Sequence, residues 1–317
     1  MARIAIYGAG AVGSVMAAKL ARAGHQVSVI ARGAHLEAMQ RNGLEYIADN
    51  KSDNVRVTAS EYAEDFGVQD VVICTLKSHA IAGAAQAISL LLGPDTPVIF
   101  AQNGLPWWYF KGRNAPGLDT HGVIARHIGV RRTLGCIIHC PSHVIAPGVV
   151  KQEGNSARYY LGEPEGGFSA RLLRLEQSLA PALPVIAVAD IRYEVWRKLR
   201  INVASSLLTT LTMSLPADVM NSAILHQQFR QLLMETGMIA AAHNVTLPED
   251  VSDIIQNFSH SRHAPSMLQD LLTGRTPEVE AQLIAVQQLA RAAEVATPTL
   301  DILLALLLQR LEATGMI

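Results

Sequence analysis

An α/β fold, a doubly wound sheet domain followed by an all-α C-terminal domain, is predicted by three features of the sequence. Between Arg3 and Arg32 an apolar run, a glycine-rich turn, a helix pattern and a second apolar run follow one another. Continuous β-branched runs then alternate with helical patterns as far as Asp190, the rhythm of a sheet built from βαβ units. Beyond that point strand signals cease, and helical periodicity broken by prolines runs to the end. The expected division is therefore residues 1–190 and 191–317.

The first strand is Arg3-Ile-Ala-Ile-Tyr7, and it feeds directly into Gly8-Ala9-Gly10-Ala11-Val12-Gly13. In a GxGxxG loop the three glycines permit, in turn, a tight turn, close approach of backbone to a pyrophosphate, and close helix–strand contact. The helix that follows carries Val15, Ala18, Leu20 and Ala21 and stops at Gly24; Val27 to Ala31 closes the βαβ unit. Its N-terminus would offer unpaired N–H groups and a positive dipole end to phosphates. Residues Gly8 to Gly13 are thus candidate dinucleotide contacts on a Rossmann-type unit. The residue ending the second strand decides between cofactors. An NAD site usually places Asp or Glu there for the ribose 2′-hydroxyl, whereas this chain has Arg32, whose guanidinium could pair a 2′-phosphate. The expected cofactor is NADP(H), with a plain surface arginine as the competing reading.

Val71-Val-Ile-Cys-Thr75 reads as a central strand and Pro97-Val-Ile-Phe-Ala101 as the next, with a small-residue helix over 80–92 between them. Their carboxyl ends carry Lys77 and Asn103, on the same sheet edge as the glycine loop, where doubly wound sheets bind ligands. Each has a bland alternative: a solvated loop lysine, and an Asn-Gly turn residue. Trp107-Trp108-Tyr109-Phe110 could wall a substrate pocket or plug an interface, and we read it as a pocket wall. Residues 133–163 alternate around Pro141, Pro147-Gly148 and Gly154 and are expected to add antiparallel strands to the sheet. His139 and His143 lie there without a nearby carboxylate, so no metal is expected. A helix from Arg171 to Leu179 and a strand from Val185 to Val188 finish the domain.

The second domain reads as helices over Ile191–Leu211, Ala223–His243, Met267–Leu272, Glu278–Ala293 and Leu300–Leu311. Such a domain after a nucleotide-binding one is expected to put the active site in the cleft between them. The first of these helices holds the most telling pattern. Lys198, Asn202 and Ser206 fall at i, i+4 and i+8 on one face, beside an apolar stripe of Val195, Leu199, Val203 and Leu207. A lysine bordering a buried stripe is costly unless paired or used, which suggests a proton donor with hydrogen-bonding neighbours. A snorkelling lysine on an amphipathic helix remains the alternative.

Composition sets the outer limits. Half the residues are hydrophobic, 17% are charged and the net charge is -1, so nothing suggests the basic face of a nucleic-acid binder. Apolar runs such as Ile302 to Leu308 are too short to span a bilayer, and no signal-peptide pattern opens the chain. Cys74, Cys136 and Cys140 read as buried thiols in a reducing cytoplasm.

Taken together, GAGAVG, Arg32, Thr75-Leu-Lys77, Gln102-Asn103-Gly104, Trp196-x-Lys198-Leu-x-x-Asn202, Ser266-Met-Leu-Gln-Asp270 and Gly274-Arg-Thr-Pro-Glu278 resemble the ketopantoate reductases (2-dehydropantoate 2-reductases) along nearly the whole chain. The resemblance implies an NADPH-dependent oxidoreductase that converts ketopantoate to pantoate in pantothenate biosynthesis. It implies Lys198 as acid/base, Asn202 and Ser266 as substrate contacts, Glu278 as a functional carboxylate that also reaches the cofactor, and Arg32, Lys77 and Asn103 as cofactor contacts. Ser266-x-x-Gln269 also reads as a capping box, and Thr276-Pro277-Glu278 as a helix start. Ser206 departs from the family pattern, which has a second asparagine there. A shorter side chain with one amide donor fewer opens the identity of the 2-oxo acid. Other outcomes are a related reductase of a different 2-oxo acid, a β-hydroxyacid dehydrogenase, or a non-catalytic NADP-binding regulator. The expected partners are a small 2-oxo acid and, as an open question of assembly, a second copy in a homodimer.

Overall fold

The β-branched runs and small-residue helices assemble as their patterns require. A computed structural model describes residues 1–110, 117–154 and 156–317, and the chain divides into two compact units, Met1–Ile191 and Arg192–Ile317.

The first unit opens with β1 (Arg3–Tyr7), α1 (Ala11–Arg22), β2 (Gln26–Ile30), α2 (Gly33–Asn42), β3 (Leu44–Ala48), β4 (Lys51–Val55) and β5 (Thr58–Ser60). It continues with β6 (Val71–Cys74), α3 (Ser78–Ser89), β7 (Val98–Ala101), α4 (Val123–His127), β8 (Thr133–His139), β9 (Ser142–Ala146) and β10 (Val149–Gln152). It closes with β11 (Arg158–Gly162), α5 (Ala170–Leu179) and β12 (Val185–Ala187). Eight strands form the main sheet in the order β12-β11-β8-β7-β6-β1-β2-β5. From β5 through β8 every neighbouring pair is parallel; β11 runs antiparallel to β8, and β12 parallel to β11. The central strands β1, β6 and β7 are almost wholly buried, as continuous Val/Ile runs demand of strands covered on both faces. The chain leaves β1 for β2 on one side and later returns to β6 on the other, so strand order reverses between β1 and β6. That reversal is where open α/β sheets bind ligands.

Residues 133–163 behave differently from expectation. Only β8 and β11 join the main sheet. Strands β9 and β10 leave it for a second sheet of order β4-β3-β10-β9, in which β10 pairs parallel with β3. This second sheet lies against α1, the helix that follows the glycine loop. Tyr46 on β3 donates to Gln152 Oε1 on β10 at 3.0 Å, and the Lys19 ammonium of α1 sits 5.8 Å from the Tyr46 ring centroid. Helix α1 is therefore held on both sides by sheet.

The second unit comprises most of α6 (Ile191–Thr212), then α7 (Pro216–Met220), α8 (Ala223–Ala242), α9 (Ser252–His260), α10 (Ser266–Leu272), α11 (Ala285–Ala292) and α12 (Pro298–Ala313). Helices α7 and α9 fall in stretches for which the sequence pattern predicts only connections. The expected continuous helix from Glu278 is also interrupted: residues Glu280–Ile284 form a π-helical turn ahead of α11. The stripe Val195, Leu199, Val203 and Leu207 of α6 is buried.

Charged side chains tie the helix ends. The wholly buried Glu235 of α8 accepts from the Thr299 and Leu300 amides at 3.0 and 2.9 Å, satisfying two orphan donors at the start of α12. Arg310 of α12 donates to the Thr210 and Leu211 carbonyls at 3.0 and 2.6 Å, closing the end of α6. Arg200 in the middle of α6 is buried and donates to the carbonyls of Leu233 and Pro248 at 2.8 and 2.6 Å. No helix among the described residues is long and apolar enough to cross a membrane.

Candidate active site

The glycine loop occupies the carboxyl end of β1. Gly8 has φ +108°, a conformation L side chains rarely adopt. Gly13 sits in the first turn of α1 in ordinary helical backbone, yet a Cβ there would lie 2.0 Å from the Gly8 carbonyl oxygen and 2.5 Å from Thr75 Oγ1. Glycine is thus what lets α1 seat on the ends of β1 and β6. Thr75, just past β6, donates its hydroxyl to the Gly8 oxygen at 2.5 Å and its amide to the Tyr7 oxygen at 3.0 Å. Gly10 is different: apart from its chain neighbours, no atom of the described residues lies within 4 Å of where its Cβ would be, so its backbone faces open space. Among the described residues no side chain caps the start of α1, and its first turn holds no acidic residue, which leaves amide donors and the positive dipole end for an anion.

The other candidates of the first unit gather on the same edge. Lys77 precedes α3 just beyond β6 and is half-buried; Asn103 lies two residues beyond β7, also half-buried. Because β7, β6 and β1 are neighbours, these ends and the glycine loop line one rim of the sheet. Arg32 follows β2 in extended backbone, exposed, at the uncapped start of α2. A guanidinium beside free helix-start amides suits a phosphate. Cys74 on this rim is buried and its thiol is pushed up to about 12 by desolvation, so it stays neutral. The tryptophan pair corrects the pocket reading. Trp107 packs edge-on to Phe100 of β7 at 5.5 Å, and Trp108 lies over Gly135 of β8, where a Cβ would stand 2.3 Å from its ring. Both indoles are buried and serve as core.

In the second unit α6 carries Lys198, Asn202 and Ser206 along one face. Lys198 and Asn202 are half-buried, while Ser206 is fully buried. The Trp196 ring stacks on His243 at 6.3 Å, and His243 Nε2 donates to the Leu289 oxygen of α11 at 3.1 Å. Ser266 is the exposed first residue of α10. The capping box expected around it does not form, because Pro265 occupies the cap position and Gln269 donates its amide to the Ala264 oxygen at 2.8 Å. Glu278 is buried and immediately precedes the helix that begins at Val279, so its carboxylate sits by a positive helix end. One turn on, the buried Gln282 lies in the π-helical turn and its Oε1 has no partner among the described residues.

A family model described as ketopantoate reductase PanE/ApbA matches residues 4–166, and its C-terminal counterpart matches residues 190–311. The chain belongs to the ketopantoate reductase family. A 2-dehydropantoate 2-reductase of Mesorhizobium japonicum is 39% identical over 315 residues, 96% of either chain. A crystal structure described as a putative ketopantoate reductase of Ralstonia solanacearum is 32% identical, covers 100% of both chains and superposes with a TM-score of 0.93. D-mandelate dehydrogenase bound to NADH and anilino(oxo)acetate, 23% identical and covering 99% of both chains, shares the fold at a TM-score of 0.85. The chain is accordingly an oxidoreductase acting on CH–OH groups, and the cofactor of the ketopantoate reductase family is NADPH. The residues present fit that cofactor: Gly10 leaves open the space a side chain would fill, two uncapped helix starts offer amides, and Arg32 supplies a cation.

Proposed function

We propose that this chain reduces ketopantoate to pantoate with NADPH, with Lys198 as the general acid. The observation that carries the reading is the row on α6, a half-buried lysine with Asn202 one turn on, flanked by a buried apolar stripe. When bound, the cofactor supplies a hydride to the ketone carbon. The Lys198 ammonium hydrogen-bonds the ketone oxygen and gives up a proton as negative charge develops there. Asn202 and Ser266 orient the 2-oxo acid, and Glu278 accepts from a substrate or ribose hydroxyl. Gly8 to Gly13, Lys77, Asn103 and Arg32 hold the cofactor in residues 1–190, while residues 191–317 hold the substrate.

The discriminating assay follows NADPH oxidation with ketopantoate and with straight-chain, branched and aromatic 2-oxo acids. The highest kcat/KM with ketopantoate is expected. Preference for another acid would move the substrate but not the chemistry, and Ser206 favours that second reading, since a site lacking one amide donor leaves a substrate oxygen unpaired. No turnover with any of them would sink the enzyme reading in favour of a regulator.

The role of Arg32 has its own measurement. Arg32→Ala is expected to raise the KM for NADPH by about 10–100-fold, the worth of a charge-assisted pair of hydrogen bonds. The KM for NADH should stay within about twofold, because the lost partner is the 2′-phosphate alone. Equal weakening of both cofactors would make Arg32 a surface residue.

A further inference from the structure

Behind the glycine loop runs a chain of hydrogen bonds in which every role is determined. The Gly148 amide donates to His35 Nδ1 at 2.8 Å, so that ring nitrogen is an acceptor and the ring proton sits on Nε2. Nε2 lies 3.1 Å from Ser14 Oγ and must donate to it. The Ser14 hydroxyl, having accepted, points its own proton at the Ala9 oxygen 3.3 Å away. Ser14 is fully buried in the first turn of α1, and burial holds His35 below the ordinary histidine range, in the neutral form that this tautomer needs.

The two ends of this chain are what give it consequence. Ala9 C=O and Gly10 N–H belong to one planar trans peptide, so holding the oxygen toward Ser14 turns the Gly10 N–H the opposite way. Gly10 is the loop position that faces open space. At the other end His35 stands in the first turn of α2, three residues after Arg32. Its anchor, Gly148, is the turn between β9 and β10, and the Gly148 oxygen accepts from the Glu45 amide of β3 at 2.9 Å. The second sheet is thereby connected to the loop through one imidazole.

We propose that His35 is a positioning residue of the cofactor site, which through Ser14 sets the Ala9–Gly10 peptide plane and keeps it in register with the helix start that carries Arg32. This rests on the reading that Gly8–Gly13 and Arg32 hold NADPH.

The test is direct titration of NADPH, followed by nicotinamide fluorescence, on the full-length wild type, H35L, H35Q, S14A and the S14A/H35L double variant. A net hydrogen bond is worth about tenfold in affinity, so H35L and S14A are each expected to raise the Kd about tenfold and the double variant no further than either single. H35Q, whose amide can still donate toward Ser14, is expected to stay within about threefold of wild type on the same scale. KM for NADPH should follow Kd while kcat holds. A merely structural histidine would lower the melting temperature and leave the Kd unchanged, and that result overturns the proposal; so do losses that add in the double variant. If H35L does not fold, S14A against H35Q decides by the same criteria. A wild type that binds no NADPH overturns the cofactor reading and the proposal with it, whereas tight wild-type binding unchanged in H35L overturns the proposal alone.

Discussion

Replacing Lys198 with alanine is expected to cut turnover of the 2-oxo acid by about 10²–10⁴-fold, the usual worth of a positioned general acid, with far less change in NADPH affinity. The expectation depends on α6 staying in place when the side chain goes, and the helix is held by contacts that do not involve Lys198. Trp196 stacks on His243, the buried Arg200 donates to two carbonyls, and Arg310 closes the helix end. Lys198→Met keeps the apolar stem and loses only the ammonium, so it should be as inactive as alanine. Lys198→Arg keeps the charge but holds its proton too tightly to deliver it, and should also remain slow. A snorkelling lysine makes the opposite forecast, with all three variants within about twofold of wild type, since exposed charges contribute little. Steady-state kcat beside a cofactor titration separates the two.

What could be seen in the sequence, and what could not, follows the range of the interaction that carries each feature. The glycine loop was legible because its demands are local: Gly8 needs a positive φ and Gly13 abuts the carbonyl five residues before it. The row on α6 was legible because 3.6-residue periodicity needs no partner. The second sheet was not. Strand β4 is Lys-Ser-Asp-Asn-Val and exposed, with no apolar face to betray it, and β3 finds β10 across about a hundred residues. His35 carries no local signal for the same reason, since its partners are 21 and 113 residues away. Ser266 misled in the other direction: Ser-x-x-Gln matches a capping box, but Pro265 starts the helix one residue earlier and leaves the serine exposed. The π-helical turn after Glu278 is silent in the pattern because the apolar spacing runs through it unbroken. Such turns recur at functional sites, and this one sits beside the candidate carboxylate.

Two glycines in one loop should fail in different ways. Gly13→Ala puts a methyl 2.0 Å from the Gly8 oxygen and 2.5 Å from Thr75 Oγ1, and neither is the far end of a flexible side chain. Helix α1 must back away from β1 and β6 to admit it. Overpacking of this kind costs about 1–3 kcal/mol, against a gain of about 1 kcal/mol from alanine in a helix. Because the movement also takes the uncapped helix start away from the strand ends, NADPH binding should fall together with the melting temperature. Gly10→Ala meets no atom within 4 Å among the described residues beyond its chain neighbours and has φ −71°, which any residue adopts, so the unliganded protein should melt within about one degree of wild type. On the proposed reading its methyl would instead stand where the pyrophosphate lies, and the NADPH Kd should rise by tenfold or more at about 1.4 kcal/mol per decade. Melting curves with and without NADPH on both variants read the difference: loss of stability and binding in the first, loss of binding alone in the second. Normal NADPH affinity in Gly10→Ala would mean that the open face of the loop is not where the cofactor lies.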